Sequence, residues 1–421
     1  MGEWRETTLG EVCDEVDGII QTGPFGSQLH ESDYSPDGIP VVMPKDIIEG
    51  RIATDSVARV SSEHVERLSR HKLRSGDIVY GRRGDIGRQA LIRPEQDGWM
   101  CGTGCLRLSF GESVLNPLFL HYYLRQADVV SWITNQAVGA TMPNLNTGIL
   151  RTVPVRFPSL PAQRQIAGIL SAYDELIENS QRRIRILEDM ARALYREWSV
   201  HFRFPGHEKL PCVASPLGDI PKGWEVKPLS AIAEVNRAQI SSRNAPDEVH
   251  YIDIASVSPG QIDAVTTYPF PEAPGRARRI VQHGDVLWSC VRPNRRSHAL
   301  VMFPEPDTIA STGFAVLTAK AIPYTFLYAA TTTDEFVAYL TNNASGAAYP
   351  AVTASTFERA MLLVPPRILL LRFGEATAPM MEEAHFLRLQ ATNLRKTRDL
   401  LLHKLLSGGV LSGRKSHGSG R

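Results

Sequence analysis

The sequence predicts an α/β (α+β) protein in which two similar domains with short, irregular sheets are separated by two long helices forming an antiparallel coiled coil. Three observations predict it. An apolar repeat of 3.5 residues runs through Leu160 to Phe202, a second copy follows 207 residues later, and the order of features before the first copy restarts after a stretch rich in Pro and Gly.

Alternating steps of four and three from Ile166 reach Leu170, Tyr173, Ile177, Ser180, Ile184, Leu187, Ala191, Leu194 and Trp198, and only Ser180 interrupts the apolar series. A strict 3.5-residue repeat is the seam of a coiled coil rather than the broader stripe of an ordinary surface helix. At 1.5 Å per residue, some 40 helical residues make a rod of roughly 60 Å, longer than one domain needs for its own core. Adding 207 gives Phe373, Thr377, Met380, Ala384, Leu387, Ala391, Leu394, Arg398, Leu401 and Leu405. Thr377 and Arg398 break this second seam and mark where it loosens or meets something polar. The same offset aligns Gly139 with Gly346, Pro143 with Pro350 and Pro158 with Pro365. Two helices with incomplete apolar faces and a large domain between them most simply pack on each other in antiparallel fashion.

With 421 residues the chain is long enough for two or three domains, and 43% hydrophobic with 22% charged residues is ordinary for a soluble protein. A formal net charge of +1 neither argues for nucleic acid nor excludes a local basic face. The segment MGEWRETTLGEV lacks a basic region followed by an apolar core, and the longest aliphatic run, Ile368 to Leu371, is too short to span a bilayer. A cytoplasmic location without membrane contact is expected. The five cysteines, Cys13, Cys101, Cys105, Cys212 and Cys290, are scattered and lack zinc spacing, so reduced thiols and no metal site are expected.

Residues 1–157 mix Gly and Pro punctuation with β-branched runs such as GIPVVM and GDIVY, and Asn116-Pro117 opens a helix. Pro154, Pro158 and Pro161 form a stiff lead into the first long helix, residues 158–202, and 203–223 reads as a linker. Residues 224–365 repeat the first domain: Trp4 and Leu9 are answered by Trp224 and Leu229, GDIVY by Gly284 to Trp288, and Thr103-Gly104 by Thr312-Gly313. The second long helix takes 366–407, and 408–421 reads as a solvated tail.

This order resembles the specificity subunit of type I restriction-modification systems. The resemblance rests on GPFGSQLHESDYSPDGIP (23–40), SGDIVYGRRGDIGRQALI (75–92), GTGCLRL (102–108) and above all GATMPNLNTGILRTVPVRFPSLPAQRQIAGIL (139–170). IPKGWEVKPL (220–229), HGDVLWSCVRPN (283–294) and SGAAYPAVTASTFERAMLLVPP (345–366) carry it in the second half. Ala351 stands where the first copy has Asn144, and RILLLRFG (367–374) replaces PAQRQIAG (161–168), departures that bear on how the second helix docks. The resemblance implies two target-recognition domains on conserved helical regions, with the helices as a ruler between two DNA blocks. It also implies two methyltransferase subunits docked on the helices and restriction subunits outside them. S-adenosylmethionine, ATP and Mg would belong to those partners, with no cofactor in this chain.

The residues themselves offer no catalytic chemistry. GPFGSQL lacks the lysine of a phosphate loop, the only Pro-Pro follows Val364 and so lacks an adenine methyltransferase signature, and Asp219 with Glu225-Val226-Lys227 sits where the second domain begins. The basic loops point to DNA instead. Arg82, Arg83 and Arg88 lie among glycines just after a strand, and Arg292, Asn294, Arg295 and Arg296 follow the corresponding strand, with Arg276, Arg278 and Arg279 shortly before it. Arginine binds phosphate, or guanine O6 and N7 with two hydrogen bonds, and glycine lets the backbone approach. Ser27, Gln28 and Lys45 join this set only because the resemblance implies loops that reach DNA there. Asn144 and Asn146 are expected to cap or brace the start of the long helix. A protein-binding scaffold on a coiled-coil spacer and an orphan specificity subunit are the alternative readings.

Overall fold

The structure, a computed structural model, describes residues 4–25, 28–55, 57–84, 86–137, 144–241, 243 and 245–406. Ser27, Gly139, Pro143 and the tail 408–421 lie outside the described residues. The chain forms two units, residues 1–178 with 392–421, and residues 179–391.

The first unit is built on Ile78–Gly81, an unbroken apolar strand buried along its whole length, as a strand covered on both faces must be. It lies between Cys105–Ser109 and Gln89–Leu91, and Ile19–Thr22 closes the antiparallel sheet beyond Cys105–Ser109. A second small sheet sets Met100–Cys101 parallel to Ile39–Val42, followed by Ala58–Val60 and Tyr34–Ser35. Arg5–Thr8 pairs with Pro154–Phe157, the strand that leads into the first long helix. Asn116 caps Pro117–Tyr123 through its side-chain oxygen, which accepts from the Phe119 N–H at 2.9 Å.

The second unit repeats this plan. Ala233–Val235, Phe314–Ala319, Val286–Ser289 and His298–Leu300 form the antiparallel sheet around another buried central strand. Glu248–Ile252 runs parallel to Thr308–Ser311, with Thr266–Pro269 and Ala277–Ile280 at the edges, and Glu225–Pro228 pairs with Met361–Val364. The expected linker is not plain coil: Cys212–Ser215 and Gly218–Pro221 form a hairpin, and Phe202 and Phe204 pack at 5.5 and 5.4 Å from the Trp224 ring. Pro and Gly there make a turn, with Gly218 at φ +96°, rather than a flexible connector.

The long helices span Leu160–Tyr195, continued by a wider turn through Val200, and Arg367–Leu406. Every position on both repeats, the breaks Ser180, Thr377 and Arg398 included, is buried or half-buried. In the first unit Ile166, Ala167 and Leu170 share a core with Leu405 and Leu406. In the second, Leu194, Tyr195 and Trp198 pack on a core holding Leu370 and Phe373, so the helices run antiparallel. No helix of the described residues is long and apolar enough to cross a membrane.

The two units dock their helices by different chemistry. Gln163, fully buried, accepts from the Asn116 N–H at 2.8 Å and donates to the carbonyls of Val114 and Pro158 at 3.1 and 2.9 Å; the residue 207 further on is Leu370, which packs in an apolar core. Arg51 and Arg93 both pair with Glu178, whereas the matching His385 lies at 5.7 Å from Phe303, itself stacked on Phe386 at 5.5 Å. The polar breaks are satisfied within their units. Thr377 hydrogen-bonds Thr325 at 2.7 Å, and Arg398 pairs with Asp174 at 2.5 Å.

A buried aspartate at the corner before each central strand also diverges. Asp77 takes the Arg107 guanidinium at 2.6 Å, while the Asp285 carboxylate accepts from the Thr318 hydroxyl at 2.7 Å and the Gln282 N–H at 2.9 Å. Burial pushes Asp285 up to about 6, against the pull of those two hydrogen bonds. A raised carboxyl pKa stabilises the fold below the unfolded value near 4 and loses that contribution as pH rises through about 6, on the order of 3 kcal/mol at ~1.4 kcal/mol per unit. Urea unfolding of the chain followed between about pH 4 and 7 should show this fall, and Asp285→Asn should flatten it.

Candidate nucleic-acid interface

In the first unit the strand Ile78–Gly81 delivers the chain into the loop 82–88. Ile86 anchors the loop by burying in the main core, and Gly87, at φ +108°, sits so close to Val130 that a Cβ there would lie 2.8 Å from its Cγ1. The anchored turn leaves Arg83 and Arg88 exposed on either side. They line a cleft of about 230 Å³ with Pro44, Lys45, Gly81 and Gly84. Three of the lining residues are cationic, Lys45, Arg83 and Arg88, which suits an anionic or electron-rich ligand edge. Lys45 arrives from the turn after strand Ile39–Val42, far away in sequence.

Arg82 takes a different part. Its Nε donates to the Asn144 side-chain oxygen at 2.9 Å, and its carbonyl accepts from the Leu145 N–H at 2.9 Å. Asn144 therefore holds the basic loop and does not brace the long helix. Asn146 caps the short helix Thr147–Arg151, accepting from the Ile149 N–H at 2.9 Å, and so does not cap the long helix either. Both corrections have one cause: a separate short helix and the strand Pro154–Phe157 intervene before Leu160. Gln28 is half-buried and spends its side-chain oxygen on the Phe25 N–H at 3.1 Å, bracing its own turn.

The second unit keeps the frame and changes the residues. Cys290 N–H donates to Gly313 O at 2.9 Å as Arg82 N–H does to Gly104 O at 2.8 Å. Val352 N–H donates to Cys290 O at 2.9 Å as Leu145 does to Arg82, and Ser289 N–H to Ser297 O at 2.9 Å as Gly81 does to Arg88 at 2.8 Å. On that register Arg82, Arg83 and Arg88 are answered by Cys290, Val291 and Ser297. Basic and polar residues occupy other places in the loop: Arg292, then the exposed Asn294 and Arg295 in a tight turn, then Arg296, which pairs with Asp334 at 2.5 Å. Arg292 and Arg296 have φ of +51° and +56°, the left-handed region disfavoured for residues with side chains, which marks a backbone held by its surroundings.

The trio before the strand divides. Arg276 is exposed, Arg278 lies 5.1 Å over the Phe270 ring while donating to Ala277 O at 2.7 Å, and Arg279 is half-buried, its pKa lowered by burial. The same corner of the first unit carries Arg70 and His71, with Arg70 exposed and donating to His71 Nε2 at 3.0 Å. The sequence reading missed these two, although ERLSRHKLR (66–74) is a basic run that offered the signal. It also missed Tyr349, brought against Arg292 from the segment before the next short helix, with the Arg292 Cζ 4.6 Å from its ring centroid.

Residues 1–188 match the sequence model of the type I restriction modification DNA specificity domain. The chain is 23% identical to the type I restriction enzyme MjaIX specificity subunit of Methanocaldococcus jannaschii, over 96% of each chain. It is 18% identical to the HindI specificity subunit of Haemophilus influenzae, over 97% of this chain and all of that one. Among solved structures, the S subunit of a type I restriction-modification system from M. genitalium shares the fold at a TM-score of 0.61 and 19% identity, over 96% of both chains. With two repeated units and an antiparallel helix pair, the chain shares the fold of a type I restriction-modification S subunit and is similar in sequence to type I specificity subunits over nearly its whole length.

Proposed function

We propose that this chain is the DNA sequence-specificity subunit of a type I restriction-modification complex, non-catalytic itself, directing methylation and restriction by partner subunits. One observation carries the reading furthest. The two units hold their basic loops with the same three backbone hydrogen bonds yet present different side chains on them. A shared frame with divergent readers suits an asymmetric, bipartite target in which each unit reads a short block of bases and phosphate contacts set the register. The paired long helices then set the length of the unread spacer. Two methyltransferase subunits and the restriction subunits supply S-adenosylmethionine, ATP and Mg, and the complex works in the cytoplasm.

Coexpression with the methyltransferase subunit, followed by methylation mapping of the host genome, tests this. The expected motif has two different specific blocks separated by unread bases. A single continuous palindrome, or no motif, would refute it.

A further inference from the structure

We propose that Tyr349 is an aromatic contact to a base in the second unit's half-site, with Arg292 as the residue that positions it; this rests on the DNA-specificity reading above. Tyr349 is 68% exposed, an unusual setting for an aromatic ring in a segment so firmly held. Ser345 and Ala351 exchange backbone hydrogen bonds at 2.9 and 2.8 Å, closing a small loop with Tyr349 on it. The following Pro350 restricts Tyr349 to extended conformations, and Pro350 O accepts from the Arg292 N–H at 2.7 Å. The Arg292 guanidinium lies over the ring and donates to Ala348 O at 3.3 Å.

The left-handed backbone of Arg292 is unfavourable in itself and is kept where it places this guanidinium on the ring. A cation over one part of the ring fixes its orientation and leaves the remainder free. The exposed Asn294 and Arg295 stand on the same loop as Arg292, so a nucleic acid that meets them meets the ring as well. A base unstacked at this place offers its flat π face to the ring and its edge to the neighbouring polar groups, and that edge, with the sequence-dependent cost of unstacking, carries the preference for the second block. At the matching offset the first copy has Met142, so the aromatic is peculiar to the second half of the chain.

The test uses the full chain assembled with its methyltransferase subunit and duplexes carrying the mapped target, with 2-aminopurine placed at each position of the second block in turn. Binding by the native complex should change the fluorescence at a position in that block. Tyr349→Ala should abolish the change and weaken cognate binding roughly ten- to hundredfold, while Tyr349→Phe retains both and first-block preference stays intact. The inference is overturned if Tyr349→Ala binds cognate DNA as the native chain does, or weakens cognate DNA and DNA with a scrambled second block equally. Should the native complex itself fail to prefer cognate over scrambled DNA, the specificity reading falls, and Tyr349 with it.

Discussion

Replacing Asp174 by leucine is expected to cost about 3–5 kcal/mol, the range for removing one partner from a buried ion pair. Asp174 projects from the first long helix into a site where Arg398 of the second helix reaches it at 2.5 Å, Arg125 at 3.5 Å and the Tyr122 hydroxyl at 2.7 Å. The three charged side chains are each less than a fifth exposed. Leucine fills much of the space but leaves two guanidiniums without their shared anion. Arg398→Leu should cost less, because Arg125 and Tyr122 still serve Asp174. Urea unfolding at neutral pH measures both changes, and equal losses would contradict the shared-anion account. Burial pushes the Asp174 carboxyl up, but hydrogen bonds from Arg398 and Tyr122 and the nearby positive charges more than offset it. Its folded pKa is depressed, so its contribution is present above the unfolded value and is lost as pH falls below about 4. Asp285 acts in the opposite direction, so these two carboxyls give the two units opposite responses to acid.

Arg83→Ala and Arg88→Ala are expected to weaken binding through the first block by about 1–3 kcal/mol each where the side chain grips a base, leaving the second block untouched. Both arginines line the cleft beside Lys45 and flank a turn pinned by Ile86 and Gly87. Titration against cognate DNA, DNA scrambled in either block, and a salt series separates the roles. A base contact shows as relaxed preference at one position. A phosphate contact shows as a loss common to all DNA, with the salt slope reduced by about one. Asn144→Ala probes the frame itself: it frees Arg82 rather than removing a cation, so it should blur the first block while leaving the salt slope unchanged.

The parts legible in the sequence were those written as local periodicity. The seam from Ile166 to Trp198 and its copy from Phe373 to Leu405 follow from spacing alone, since a 3.5-residue repeat commits one face of a helix to burial. The basic loops were visible because arginines and glycines crowd behind an apolar run. What the sequence hid depends on contacts between distant segments. Arg398 was visible as a break in the seam, but its partner lies 224 residues earlier in the chain. Asn144 and Tyr349 join the basic loops through pairing with residues some 60 positions away, and no local pattern announces that pairing. Arg70 and His71 escaped because the drifting offset between the repeats placed their counterparts, Arg278 and Arg279, in a stretch that reads quite differently. The hairpin at Cys212–Pro221 was hidden because Pro and Gly mark tight turns and open linkers alike.

The contrast between Glu178 and His385 constrains how such chains exchange parts. A graft that moved the first domain onto the second unit's stretch of helix would set Arg51 and Arg93 against an imidazole, which repels them when protonated and gives them no anion when neutral. The reverse graft would leave Phe303 facing a carboxylate. The transplantable module is therefore a domain together with its own stretches of both helices, and productive crossovers belong inside the helices, near residues 178 and 391, where the two units divide. Recombination at the outer ends of the helices would instead yield chimaeras whose domains are intact but badly seated.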